Sequence, residues 1–222
     1  MRMQAIERFF RRLLAPSTPM ASARLAWAAM ALLLASAVLV VAAAAAMPPG
    51  YSWRFHTISE SAAQGQLHGW IARLAFLSFG AGVFLLAVAA RTHWARAAYW
   101  MQLVFALCML GAAAFSHKPW MAGVASDEME DFLHSVCASG MGFAFCAGVL
   151  ARSAQRRLHG VAGRGLDVVV LGVAIVLPLL LASSSAIGGW MQRSMFALAY
   201  LWFGREALLT LGILPERKTS AA

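Results

Sequence analysis

Apolar residues dominate six stretches of this chain, at Leu25–Met47, Gly69–Ala90, Ala97–Phe115, Phe132–Ala151, Leu166–Ile187 and Trp190–Leu211. Each predicts an α-helix long enough to cross about 30 Å of hydrocarbon at about 1.5 Å per residue. The pattern therefore predicts an all-α integral membrane bundle of six transmembrane helices in one domain, residues 25–212. A basic arm (1–24) precedes it and a short tail (213–222) follows. Six crossings return the chain to the side on which it began.

The first run needs a closer look, because Ala42–Ala46 resembles a signal-peptidase site. A signal peptide has an apolar region of about 7–15 residues. This run is longer and follows a long basic arm, which predicts a retained helix. Within the arm, Ile6, Phe9, Phe10, Leu13 and Leu14 form either one face of an amphipathic helix on an anionic leaflet or part of a plain cytoplasmic tail. Pro16 and Pro19 end it.

Composition agrees with a membrane solvent. Of 222 residues 61% are hydrophobic and 12% charged, and the mean hydropathy is +0.70. The net charge of +9 admits a nucleic-acid reading until the charges are placed. One side of the six-helix path collects Arg2, Arg8, Arg11, Arg12, Arg24, Arg91, Arg96, Arg152, Arg156, Arg157, Arg164, Arg205, Arg217 and Lys218. The other holds only Arg54, Arg73, Lys118 and Arg193. This asymmetry predicts cytoplasmic N and C termini. It also excludes nucleic acid as partner, because the positive charge is divided among four separate segments. Trp53, Trp70, Trp120 and Trp190 at the outer helix ends, with Trp27, Trp94 and Trp100 at the inner ones, make the expected aromatic belts. Cys108, Cys137 and Cys146 lie inside apolar runs, match no zinc spacing and read as packing residues.

The candidate chemistry is on the outer side. Ser126–Gly140 packs Asp127, Glu128, Glu130 and Asp131 into one turn and a half, and His134 follows Asp131 on the same helical face. Such a carboxylate can orient an imidazole that binds a metal or moves protons. The same acids also suit a helix N-terminus. His56, His68 and His117 share this side, as does Glu60 in the polar stretch Thr57–Ser61, which either caps the second helix or supplies ligands. Arg73 and Arg193 lie about one turn inside the second and sixth helices, placed to snorkel outward or to clamp an anion. The heads of these helices also echo one another. Leu67-His68 resembles Leu133-His134, and Gly69-Trp70 with Arg73 resembles Gly189-Trp190 with Arg193.

Three segments, YSWRFHTISESAAQGQLHGWIARLAFLSFG (51–80), the turn from Phe115 to His134, and GWMQRSMFALAYLW (189–202), resemble the bacterial membrane family called domain of unknown function 998. The resemblance implies a compact helical bundle in the bacterial plasma (inner) membrane and transfers no activity. Its Gly-x-x-Gln-Arg head adds Gln192 beside Arg193. The turn departs from the family's Phe-Pro-x-Asp pattern, reading Phe115-Ser116-His117-Lys118-Pro119. A looser likeness is to the alkaline ceramidase and adiponectin-receptor hydrolases, whose late His-x-x-x-His zinc pair has no counterpart here.

The resulting expectation is an outward-facing polar pocket for a lipid headgroup or small anionic molecule. Glu60, Arg73, Gln192 and Arg193 are its candidate ligand-binding residues, and Asp131 and His134 its candidate catalytic pair. One alternative is a metal-dependent hydrolase or transferase acting on lipids, with zinc on His117 and His134. Another is a non-catalytic partner that forms homo- or hetero-oligomers through small-residue faces such as Ala42–Ala46. Haem on His117 and His134 is a further, weaker option, since both sit near a helix end.

Overall fold

The computed structural model describes residues 18–161, 165–183 and 187–216. The amphipathic arm up to Ser17, Arg164, Ser184, Ser185 and the tail beyond Glu216 lie outside the described residues. Six long helices account for the six apolar runs: α1 (Pro19–Ala45), α3 (Gly69–Ala89), α4 (Arg96–Ala114), α5 (Glu128–Leu158), α6 (Gly165–Ser183) and α7 (Gly188–Thr210). A four-residue helix, α2 (Ile58–Ser61), interrupts the link between α1 and α3. There is no strand among the described residues.

Local signals explain the helix ends. The Thr18 side chain accepts from the Ala21 amide (3.3 Å), and Pro19 occupies the first turn, where its missing N–H costs nothing. Asp127 caps α5 by accepting from Met129 and Glu130; acids fill the first turn, and Arg156 and Arg157 fill the last. Both ends thus complement the helix dipole. At 31 residues α5 extends about 46 Å, so it outruns the hydrocarbon thickness. It continues a full seven residues past the expected end at Ala151, because Arg152 and Arg156 are buried in the bundle rather than released into a loop.

The helices close into a ring in chain order, α1 against α3, then α4, α5, α6, α7 and back to α1, with α3 also touching α7 across the middle. Aromatic rings fill the interior. Phe79 stacks on Tyr200 at 4.5 Å between centroids and meets Phe105, Phe196 and Phe203 edge-on. Small residues permit close approach: a Cβ on Gly80 would lie 3.0 Å from the Ala106 carbonyl oxygen. The Ser36 hydroxyl donates to the Ala75 carbonyl and receives the Tyr200 hydroxyl, both at 2.7 Å, which ties α1, α3 and α7 together.

The outer surface is apolar, with Leu34 and Val38 on α1, Leu107 on α4, Phe143 and Leu150 on α5, Leu179 on α6 and Leu201 on α7 all exposed. Among the described residues four helices, α1, α3, α4 and α5, have the length and apolar composition to cross a membrane. The apolar part of α6 is shorter (Gly165–Leu181), and α7 carries Gln192, Arg193, Arg205 and Glu206. Of the small-residue stretch Ala42–Ala46, Ala43 and Ala44 are buried in the chain's own bundle, and Ala42 and Ala45 face outward. Cys108, Cys137 and Cys146 form no disulfide; a Cβ on Gly111 would collide with the Cys137 sulfur at 2.5 Å and one on Gly140 would lie 3.0 Å from the Cys108 sulfur, so these two thiols fill the α4–α5 seam.

Candidate functional site

The bundle has two polar ends. At the loop end, the segment between α1 and α3 folds back over the bundle and is fastened there. Thr57 and Glu60 form a capping box around α2: the Thr57 hydroxyl accepts from the Glu60 amide, and the Glu60 carboxylate accepts from the Thr57 amide. The Gln192 carbonyl oxygen takes the Ile58 and Ser59 amides, and its amide nitrogen donates to the Ser59 hydroxyl oxygen at 3.3 Å. Arg193 donates to the carbonyls of Trp53 (3.0 Å), His56 (2.8 Å) and Gly189 (3.1 Å) and to the Tyr51 hydroxyl (2.7 Å), and stacks on the Trp53 ring. Burial raises the Tyr51 pKa above its ordinary value, with the Arg193 charge opposing.

The turn between α4 and α5 is tied to the same segment. Gln64 receives the Asp127 amide (2.7 Å) and donates to the carbonyls of Asp127 and Ser116. Glu130 receives the Ser116 amide (2.9 Å), and Asp131 receives the Lys118 amide (2.8 Å). His134 links the two halves. Its Nδ1 lies 2.9 Å from the Phe115 carbonyl, which can only accept, so Nδ1 carries the proton. In the neutral ring Nε2 then accepts from the Ser59 hydroxyl at 3.0 Å.

The predicted outer residues therefore converge in part. His134 and His117 meet edge to face at 5.5 Å, and His117 Nδ1 stands 3.8 Å from Asp131 while donating to the Lys118 carbonyl. The Phe115 carbonyl, not Asp131, orients His134. Glu60, Gln192 and Arg193 sit on the α2 side of this assembly, and Arg73 reaches the Ala62 carbonyl at 3.3 Å. The echo between helix heads does not extend to roles, because His68 is exposed and His134 is sealed. Among the described residues no three His, Cys, Asp or Glu side chains group as a metal ion requires, so the geometry lends the zinc reading no support. The Ser59–His134 contact has the spacing of a nucleophile and its base. Both are closed off, at 7% and 2% exposure, with Phe76 packed near the imidazole.

The opposite, basic end holds a site that the sequence pattern did not single out. Glu206 on α7 and Asp167 on α6 are completely buried, facing Arg152 and Arg156 on α5 and Arg205 on α7. Glu206 accepts from Arg152 Nε (3.1 Å), Arg205 (3.1 Å), Arg156 and Trp94 Nε1 (3.0 Å). Asp167 accepts from Arg156 through both oxygens (3.2 and 3.0 Å), from Trp202 Nε1 (2.9 Å) and from Arg205. Taking such ions out of water costs several kcal/mol each, and here each carboxylate is compensated by a fan of charge-assisted hydrogen bonds. Arg152 completes its set with the Gln155 side chain (3.0 Å), the His93 carbonyl and the carboxylate of Glu216, past the end of α7. Beside this last contact opens a cavity of about 270 Å³, lined by His93, Arg152, Glu206, Thr210, Leu214 and Glu216 among others.

A signal for this site was present: Asp167 and Glu206 are acids at the ends of apolar runs on the basic side, where an ionisable residue is costly without a partner.

A family model described as "Protein of unknown function (DUF998)" matches residues 28–204. No curated protein and no solved structure matches the chain.

Proposed function

The chain belongs to the DUF998 family, whose description assigns no function, and we propose that it is a six-span protein of the bacterial plasma membrane that binds a small anionic group at its cytoplasmic end. Four helices qualify as spans by composition alone. The case for α7 as a fifth is that two of its charged side chains point inward: Arg193 and Glu206 are buried, and Leu201 faces out. Polar groups turned into a bundle do not meet lipid. With α6 as the sixth, the excess of Lys and Arg at one end makes that end cytoplasmic.

The observation that carries the binding reading is the cavity lined by Arg152, whose guanidinium there meets the half-exposed carboxylate of Glu216 as well as the buried one of Glu206. The ligand class expected from the sequence is retained and its face is changed. At the loop end, Glu60, Gln192 and Arg193 hold the backbone of the α1–α3 segment, which supports a fixed cap; Arg152 also bonds the chain, but one of its partners, the Glu216 side chain, is 40% exposed and so exchangeable.

The test is titration of the detergent-purified protein with 4-bromobenzoate and with inorganic phosphate. Leu214→Trp, which adds bulk to the cavity lining and leaves every arginine in the sequence, abolishes binding on this reading, and Arg73→Ala leaves it unchanged. Loss in Arg73→Ala with retention in Leu214→Trp would return the pocket to the outer face.

A further inference from the structure

Glu216 occupies the place an anion would take. Its carboxylate meets Arg152 at the mouth of the cavity. The two partners differ in burial, with the Arg152 side chain 4% and the Glu216 side chain 40% exposed. Among the described residues Glu206 and Asp167 meet the three arginines inside the bundle, and Glu216 reaches Arg152 from its exposed side. An ion pair with one half-exposed partner is weak, because water competes for the carboxylate. The segment that presents it is held lightly: the amides of Ile213 and Leu214 both bond the Leu208 carbonyl, at 3.0 and 3.2 Å, and both side chains are exposed.

Resting on the binding reading above, we propose that Glu216 is a built-in occupant of the Arg152 site, which a singly charged oxyanion (a carboxylate or a phosphodiester) displaces, releasing the segment after α7. A carboxylate already occupies this face of Arg152, so an oxyanion of the same single charge can take its place. The single Nη2 contact that Arg152 gives to one oxygen of Glu216 can be given equally to an oxygen of either group. Displacement exchanges one charge-assisted contact for another, so the buried pairs with Glu206 and Asp167 are untouched. The incoming anion arrives either free from the aqueous side or as the headgroup of an anionic lipid in the adjacent leaflet.

The experiment uses the full chain in phosphatidylcholine nanodiscs. One arm adds 4-bromobenzoate, a second adds dimethyl phosphate (a soluble phosphodiester monoanion), and a third replaces part of the lipid with phosphatidylglycerol. Two readouts are taken: the Kd of the soluble anions for wild type and Glu216→Gln, and hydrogen exchange at the amides of Ile213 and Leu214. Release by a soluble anion alone identifies a free ligand, and release by phosphatidylglycerol identifies a headgroup. Glu216→Gln is expected to bind 4-bromobenzoate about tenfold or more tightly than wild type, since the competing charge is gone. Exchange at Ile213 and Leu214 is expected to speed up when the anion binds wild type, a readout that needs no variant. Equal Kd values with unchanged exchange would overturn displacement and leave the binding site standing. No binding to either protein in any arm would overturn both.

Discussion

Arg152 touches two carboxylates of opposite burial, and replacing each in turn separates a buried ion pair from an exposed one on the same cation. Glu206→Gln keeps the shape of the side chain and removes its charge. The residue has no exposed surface and receives Arg152, Arg156, Arg205 and Trp94. Its neutralisation leaves Arg156 and Arg205 sharing Asp167, and Arg152 with the half-exposed Glu216 as its carboxylate partner. Breaking a buried pair from one side costs about 3–5 kcal/mol, because the remaining charge stays out of water. For a chain of this length about 2–4 °C accompanies each kcal/mol, so the melting temperature falls by roughly 6–20 °C. Glu216→Gln, whose side chain is 40% exposed, costs about 0–1 kcal/mol. The assay is thermal unfolding in detergent read by a thiol-reactive dye, since Cys108, Cys137 and Cys146 are partly buried and unpaired and become reactive as the bundle opens. A Glu206→Gln protein melting within about 2 °C of wild type, or an equal loss for both variants, would refute the claim that the network is a desolvated ionic core.

At the loop end, His134→Ala removes two hydrogen bonds from a sealed position and costs about 2–4 kcal/mol in the same assay; metal analysis by mass spectrometry should find the same zinc content in wild type and variant, and one zinc per chain lost on mutation would restore a metal centre. Gly189→Ala places a Cβ 2.2 Å from the Trp53 carbonyl oxygen and 2.5 Å from that of His56, so it breaks the carbonyl cage around Arg193 and lowers the melting temperature. Gly204→Ala, with nothing within 4 Å, serves as the neutral control, and equal melting of the two glycine variants would contradict the cage. Topology is tested in intact cells with a membrane-impermeant maleimide. Val124→Cys is labelled from outside and Leu158→Cys only after permeabilisation; the reverse pattern would invert the orientation.

The long elements were legible because a lipid-solvated helix shows its nature in one dimension, as an unbroken apolar run. Their ends were less so, since α5 continues past Ala151 on residues that look like a basic loop when read singly. A cap in Thr57–Ser61 could be anticipated from local spacing, but on the second long helix; it closes the separate short α2, and His68 at the head of α3 makes no side-chain cap. The pairing of Ser59 with His134 and of Gln192 with α2 could not be anticipated, because it depends on how helices far apart in the chain are rotated, and an apolar helix carries little information about its rotation. The same limit hid the ionic core. Arg152, Arg156 and Arg205 served the sequence reading only as markers of sidedness. Arg152 and Arg156 are one turn apart and share a face, yet nothing local says that this face meets Asp167 and Glu206. Polar residues were most conspicuous where they cluster in sequence, at Asp127–Asp131, and those acids are spent largely on capping α5 and holding its preceding turn.

The central claim, that an anion is received at the basic end beside Arg152, is tested most directly by anomalous diffraction from crystals soaked in 4-bromobenzoate. The account predicts a bromine peak in the cavity between His93 and Leu214, with the carboxylate on Arg152 and Glu216 moved aside. A peak at the loop end beside Arg73 or Arg193, with Glu216 still on Arg152, would contradict it.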